Sequence, residues 1–260
     1  MDPIVPPLVP PYETVGQGPN HVMAVHGWFS DRAAYAAMLP HIDRRAFTYV
    51  LPDLRGYGEA RDLPGAYTTT EAGHDLLALA DELGWERFSL VGHSMGGAVV
   101  QRVVAAAPHR VRRLVGVAPV PAGGVPMEGE QWQLFAGAAE RPENRRAIID
   151  LTTGGRHPAA WLDLMVRHSL EHSDAKAFRA WLDSWALEDF HEEIEGARVP
   201  VRVVVGAHDP ALTADVMRQT WLRWYPNVEL VELACAGHYP ADETPLELVR
   251  AVEDFIAADA

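Results

Sequence analysis

Short, β-rich apolar runs alternate along this chain with longer segments of helical periodicity, and few architectures accept that pattern. The runs at 21–26, 47–51, 87–91, 111–118, 201–206 and 228–233 each end in Gly, Pro or a polar turn residue. Val201-Arg202-Val203-Val204-Val205 is mostly apolar, as a parallel strand buried on both faces should be. Helices are predicted over 31–39, 70–83, 95–107, 213–224 and 244–257, the second with Thr70 as N-cap and Gly84 as C-terminal stop. Such an alternation implies an α/β fold, a mostly parallel sheet covered by helices on both faces.

One stretch breaks the pattern. From 121 to 190 there is no strand-like run, only amphipathic helical patterns separated by Ala122-Gly123-Gly124, Gly154-Gly155 and His157-Pro158. The expected organisation is therefore a core made of 1–120 and 191–260, with a helical cap at 121–190 inserted between two strands. Half of the chain's 8 tryptophans lie in that stretch. Most of its aromatic residues are expected to pack the cap onto the core, and a few to face inward and line an apolar pocket. Trp221 and Trp224 fall on amphipathic helix positions and are read as packing.

At 260 residues, 48% hydrophobic and 22% charged, the chain can bury a full core. Its formal charge of −14 repels phosphate backbones and anionic lipid, which argues against nucleic-acid and membrane-surface partners. A single cysteine, Cys235, excludes an intrachain disulfide and any cysteine-rich metal site. The N-terminus has neither the basic nor the apolar region of a secretory signal, and no apolar run approaches a membrane span, so a cytoplasmic location is expected. The prolines up to Pro11 suggest an extended arm laid on the domain.

Chemistry is signalled by Gly92-His93-Ser94-Met95-Gly96-Gly97, which lies between a predicted strand and a predicted helix. In that setting G-x-S-x-G is a sharp turn holding a serine hydroxyl above the sheet, with the helix N-terminus aimed at the reacting centre. A hydroxyl needs a base within hydrogen-bond reach, and His238, in the Gly-flanked loop after the last strand, is the candidate. Asp209, just past the preceding strand, is the carboxylate expected to orient it. The loop after 111–118 carries no carboxylate until Glu128, and His208 and His93 are badly placed to act as the base. Backbone N–H groups of Met95 and Trp28 are the expected oxyanion donors, with Gly27 allowing close approach.

His26-Gly27-Trp28, Asp53-Leu54-Arg55-Gly56-Tyr57-Gly58, the serine motif, Gly206-Ala207-His208-Asp209 and Ala236-Gly237-His238 together resemble the motif set of the α/β-hydrolase superfamily. The resemblance spans most of the chain outside the cap. It implies an eight-stranded sheet with a short first hairpin near residues 12–16. Glu59 stands where many relatives carry a small hydroxyl residue after Gly58, so a substrate does not transfer simply from a similar-looking relative.

The expected activity is hydrolysis of a small or medium, largely apolar carboxylic ester through an acyl-enzyme, with no cofactor. A lactone, a thioester, perhydrolysis or carbon–carbon bond hydrolysis would use the same residues. An anionic ring-cleavage product would need a pocket arginine, with Arg102, Arg167 and Arg179 as candidates. From another class comes a small-molecule receptor that retains the triad. His168 and His172 have metal-ligand spacing on a helix, with Glu171 between them, but no third ligand is evident nearby, so they are read as a solvated helix face. Asp53 and Arg55 are read as a turn with a buried ion pair.

Overall fold

The computed structural model describes residues 6–258. The apolar runs become β1 (Tyr12–Gly16), β2 (Asn20–Val25), β3 (Phe47–Pro52), β4 (Phe88–His93), β5 (Val111–Val117), β6 (Val201–Gly206) and β7 (Val228–Leu233). They form one sheet in the order β1-β3-β2-β4-β5-β6-β7, parallel except for β1 against β3. The strand pleat sorts side chains into two cores. Met23, Val25, Leu90, Leu114 and Val203 face one layer, while Val22, Ala24, Val91, Val115 and Val204 face the other.

The helices are α1 (Thr69–Glu82), α2 (Met95–Ala106), α3 (Gly129–Ala136), α4 (Pro142–Thr152), α5 (Ala159–Glu171), α6 (Ala175–Leu187), α7 (His191–Ile194), α8 (Ala214–Gln219), α9 (Trp221–Trp224), α10 (Pro240–Glu243) and α11 (Pro245–Ala257). α1 to α6 contribute to the first core and α11 to the second. Four helices, α3 to α6, occupy the strand-free stretch at 121–190, and α7 follows before β6. Arg145 of α4 draws this group together. Its buried guanidinium donates to Ala138 O, Ser169 Oγ and Ser173 Oγ and lies 3.8 Å over the Phe178 ring.

Several local expectations need correction. The described residues contain seven strands, not eight, because β1 is preceded by Pro6, Pro7, Pro10 and Pro11. Proline has no N–H to donate to a ladder, so no hairpin partner forms there. That segment instead runs along the core, where Leu8 N–H donates to Asp75 and the Pro6 and Pro11 carbonyls accept from Arg55 and Asp53. The part of the expected arm at 1–5 lies outside the described residues. The helix expected at 31–39 is two 3-10 turns, Arg32–Tyr35 and Leu39–His41, the second containing Pro40, which cannot donate an α-helical hydrogen bond. The N-cap of α1 is Thr68, whose hydroxyl accepts from Glu71 N–H, while Thr70 lies inside the helix. The helix expected at 213–224 breaks at Thr220, with both Trp221 and Trp224 buried beyond it.

Asp53 and Arg55 do not pair with each other. Asp53 binds Arg32 at 2.8 Å, and Arg55 makes a two-pronged contact with Asp75 at 2.7 and 2.8 Å and a looser one with Glu71 at 3.3 Å. The three partners of the second network are all buried, so it fixes the loop after β3 on α1.

Candidate active site

Ser94 stands between the end of β4 and the start of α2 with φ 52° and ψ −119°, a backbone conformation that side chains rarely adopt. Holding a non-glycine residue there costs about 1–3 kcal/mol, which the surrounding structure must offset. Ser94 N–H donates to Val117 O at 3.0 Å, and its carbonyl accepts from Gly97 N at 2.8 Å and Val120 N at 2.9 Å. Space dictates one neighbour. A Cβ on Gly96 would lie 2.5 Å from the Val25 carbonyl oxygen, so only glycine lets α2 sit this close to β2.

The structure brings Ser94, His238 and Asp209 together. His238 Nε2 lies 2.9 Å from Ser94 Oγ, and His238 Nδ1 lies 2.6 Å from Asp209 Oδ2. Asp209 is buried, and its other oxygen accepts from Ala211 N at 2.8 Å and Leu212 N at 3.2 Å. Burial alone would raise its pKa. The adjacent His238 and the backbone donors outweigh burial and hold the carboxyl below its ordinary value. With a carboxylate accepting at Nδ1, the imidazole keeps a free lone pair on Nε2 for the serine proton.

The loop carrying His238 is braced on both sides. Gly237 N–H and Tyr239 N–H donate to the two oxygens of Glu243 at 2.9 and 3.0 Å, and His93 Nε2 donates to the His238 carbonyl at 2.7 Å. Burial and the neighbouring His238 push the His93 pKa down to about 3, so its ring stays neutral and serves as a fixed donor. Sequence reasoning had set His93 aside and missed Glu243. Each acts on the backbone of His238, which leaves only weak local signals: adjacency to the serine for His93, and a carboxylate five residues past the histidine for Glu243. His208 is exposed and its backbone N–H bonds Ala236 O.

Trp28 and Met95 are both buried beside Ser94. Gly27 packs so close that a Cβ there would come within 3.1 Å of Ser94 Cβ. Met95 opens α2, where backbone N–H groups have no intrahelical acceptor. The Trp28 indole donates to Phe178 O at 2.8 Å and stacks on the Phe178 ring at 4.1 Å, tying the loop after β2 to α6.

Ser94 and His238 open into a cavity of about 60 Å³ lined mainly by apolar side chains, among them Phe29, Val125, Met127, Phe135, Trp185 and Leu212. No lysine or arginine among the described residues lines it. Arg102 instead pairs with Glu188 and Glu193, Arg179 with Asp183, and Arg167 lies on the outer face of α5 beside Glu171. The aromatic residues of the strand-free stretch divide between two duties. Phe178 and Trp181 are buried in the core, whereas Phe135 and Trp185 reach the cavity. His168 and His172 meet a third side chain that the sequence did not reveal, Asp31.

No helix among the described residues is long and apolar enough to cross a membrane. Pimeloyl-[acyl-carrier protein] methyl ester esterase of Serratia marcescens is 26% identical over 95% of this chain and 98% of its own length. The 2-hydroxy-6-oxo-2,4-heptadienoate hydrolase of Pseudomonas putida is 28% identical over 94% of this chain and 91% of its own. Among solved structures, an esterase of Exiguobacterium antarcticum superposes with a TM-score of 0.85 at 16% identity, covering 95% of both chains, which speaks to fold. A family model described as alpha/beta hydrolase fold matches residues 20–245, and by that match, over most of its length, the chain belongs to the α/β-hydrolase family.

Proposed function

We propose that this protein hydrolyses carboxylic esters of small or medium apolar acyl groups, with Ser94 as nucleophile, His238 as general base and Asp209 as its orienting acid. The observation that carries the reading is the unbroken relay from Ser94 Oγ through both nitrogens of His238 to Asp209, at 2.9 and 2.6 Å, at the wall of an apolar cavity. Ser94 Oγ attacks the ester carbonyl as its proton passes to His238 Nε2. The N–H groups of Met95 and Trp28 receive the negative charge that grows on the carbonyl oxygen. The imidazolium then protonates the departing alkoxide, leaving an acyl-enzyme, and water deprotonated by His238 releases the acid. Residues 121–190 act in this reading as a cap over a core of 1–120 and 191–260, supplying Phe135 and Trp185 to the acyl side.

The similarity to ester-cleaving relatives supports the same reaction class. The similarity to a ring-cleavage product hydrolase raises carbon–carbon cleavage, but a cavity without a cation suits an uncharged acyl group better than an anionic dienoate. A lone free cysteine fits work in the reducing cytoplasm. The test is hydrolysis of p-nitrophenyl acetate, butyrate and octanoate by the wild type and Ser94→Ala. Multiple turnover by the wild type, collapsing by about 10⁶-fold in the variant, is expected. Stoichiometric release by the wild type points to a receptor, and an unaffected Ser94→Ala removes the assigned nucleophile.

A further inference from the structure

We propose that Asp31, His168 and His172 form a binding site for a single divalent transition-metal ion of the Zn²⁺ class, which fastens α5 to the loop that carries Trp28. The three residues come from distant parts of the chain. Asp31 follows β2, His168 lies in the last turn of α5 and His172 caps that helix. Their ligand atoms all lie within 4.8 Å of one another. His168 Nε2 is 3.1 Å from one Asp31 oxygen, and His172 Nδ1 is 3.0 Å from the other. Bonds of about 2.0–2.1 Å at tetrahedral angles set ligand atoms roughly 3.3 Å apart, close to both imidazole–carboxylate distances, and the three ligand atoms, already within 4.8 Å of one another, have only to draw together around an ion.

The surroundings suit a cation. The Asp31 carboxylate is buried and oriented by Ala33 N–H at 2.8 Å, an outer bond of the kind that fixes a ligand's direction. Glu171 and Asp242 add negative charge facing His168. The two imidazole rings stack at 4.3 Å, with planes 16° apart. They are partly exposed, which leaves an entry path and room for water as a further ligand. Two imidazoles and one carboxylate favour zinc, cobalt, nickel or iron over magnesium and calcium, which take oxygen ligands. The seat is structural in effect, because Asp31 lies three residues beyond Trp28 and four beyond Gly27, which packs on Ser94. Zinc there would make the cap-side helix and the oxyanion-side loop one unit.

The test is calorimetric titration of the chelator-treated, tag-free full chain with ZnCl₂ at pH 7.5, beside His172→Ala, His168→Ala and, as a surface control, His74→Ala. One equivalent of Zn²⁺ should bind the wild type and His74→Ala alike, with affinity at least about tenfold weaker in each of the other two variants. His172→Ala keeps the His168–Asp31 contact and so keeps the local fold. X-ray absorption at the zinc edge of the wild type, which needs no variant, should count two imidazoles and light oxygen donors. Absence of a stoichiometric site, wild-type affinity in His168→Ala or His172→Ala, or a zinc shell with fewer than two imidazoles overturns the proposal and leaves the cluster an ion pair.

Discussion

Asp209→Asn tests the relay at its most informative point. The two carboxylate oxygens do different work. Oδ1 accepts from the backbone of Ala211 and Leu212, and Oδ2 accepts from His238 Nδ1. Those backbone donors demand an acceptor, so an asparagine must place its carbonyl oxygen there and turn its amide nitrogen toward His238. An amide N–H facing Nδ1 selects the tautomer with the proton on Nε2. The nitrogen nearest Ser94 Oγ then cannot take the serine proton. A swap of this kind in a serine triad lowers kcat by about 10⁴. At 1.36 kcal/mol per decade that loss is about 5.4 kcal/mol of transition-state stabilisation. The fold should survive, since the variant keeps the Ala211 and Leu212 bonds and removes a buried charge. The assay is steady-state hydrolysis of p-nitrophenyl butyrate with thermal melting of the same samples. The expected result is unchanged KM, unchanged melting within a few degrees, and kcat down by about four decades. Activity within tenfold of the wild type at an unchanged melting temperature would refute the assigned role of Asp209.

Three further outcomes are expected. In Gly27→Ala the new methyl group meets His93 Nδ1 at 3.0 Å and Ser94 Cβ at 3.1 Å, so kcat should fall about tenfold with little change in melting; the opposite ranking argues that the loop after β2 does not position the serine. Asp75→Ala removes the two-pronged partner of buried Arg55 and leaves the looser Glu71 contact as its remaining carboxylate partner, a loss of about 3 kcal/mol, or roughly 6–12 °C in Tm by calorimetry. Burial raises the pKa of Glu253 to about 7 against 4.5 for an ordinary glutamate, only partly relieved by Asp43 N–H, so the folded chain binds its proton more tightly than the unfolded chain does. Stability from this group is full below about 4.5 and lost as pH rises through about 7; Glu253→Gln should flatten Tm between pH 5 and 8, and parallel curves for the two proteins would count against it.

The sheet core and the three relay residues were legible because each rests on short-range information. β4 and β6 are mostly apolar runs, and Ser94, Asp209 and His238 sit in Gly-bearing turns that follow strands. What escaped depends on long-range contacts or on choices between similar neighbours. β1 is exposed along its first three residues and carries no apolar signature of its own. Thr68, Thr69 and Thr70 are chemically alike, and Thr68 became the cap while Thr69 bonds Glu188 across the fold. Arg55 finds its partners on α1 rather than two residues away, and Asp31 reaches His168 across 137 positions, a separation no local pattern records.

β5 and β6 are adjacent parallel strands, paired from Leu114 with Val201 to Val117 with Val204. The intervening helices therefore leave and re-enter the sheet at neighbouring points, and their combined length is not constrained by the span they bridge. Doubling such an insertion costs only about 0.6 kcal/mol in loop closure. Ser94, Asp209 and His238 all lie outside that insertion, while Phe135 and Trp185, which face the cavity, lie within it. Part of the cavity wall is thus written on a stretch of chain separate from the three relay residues, so exchanging that stretch for another of different length would reshape the cavity while leaving the relay residues in place.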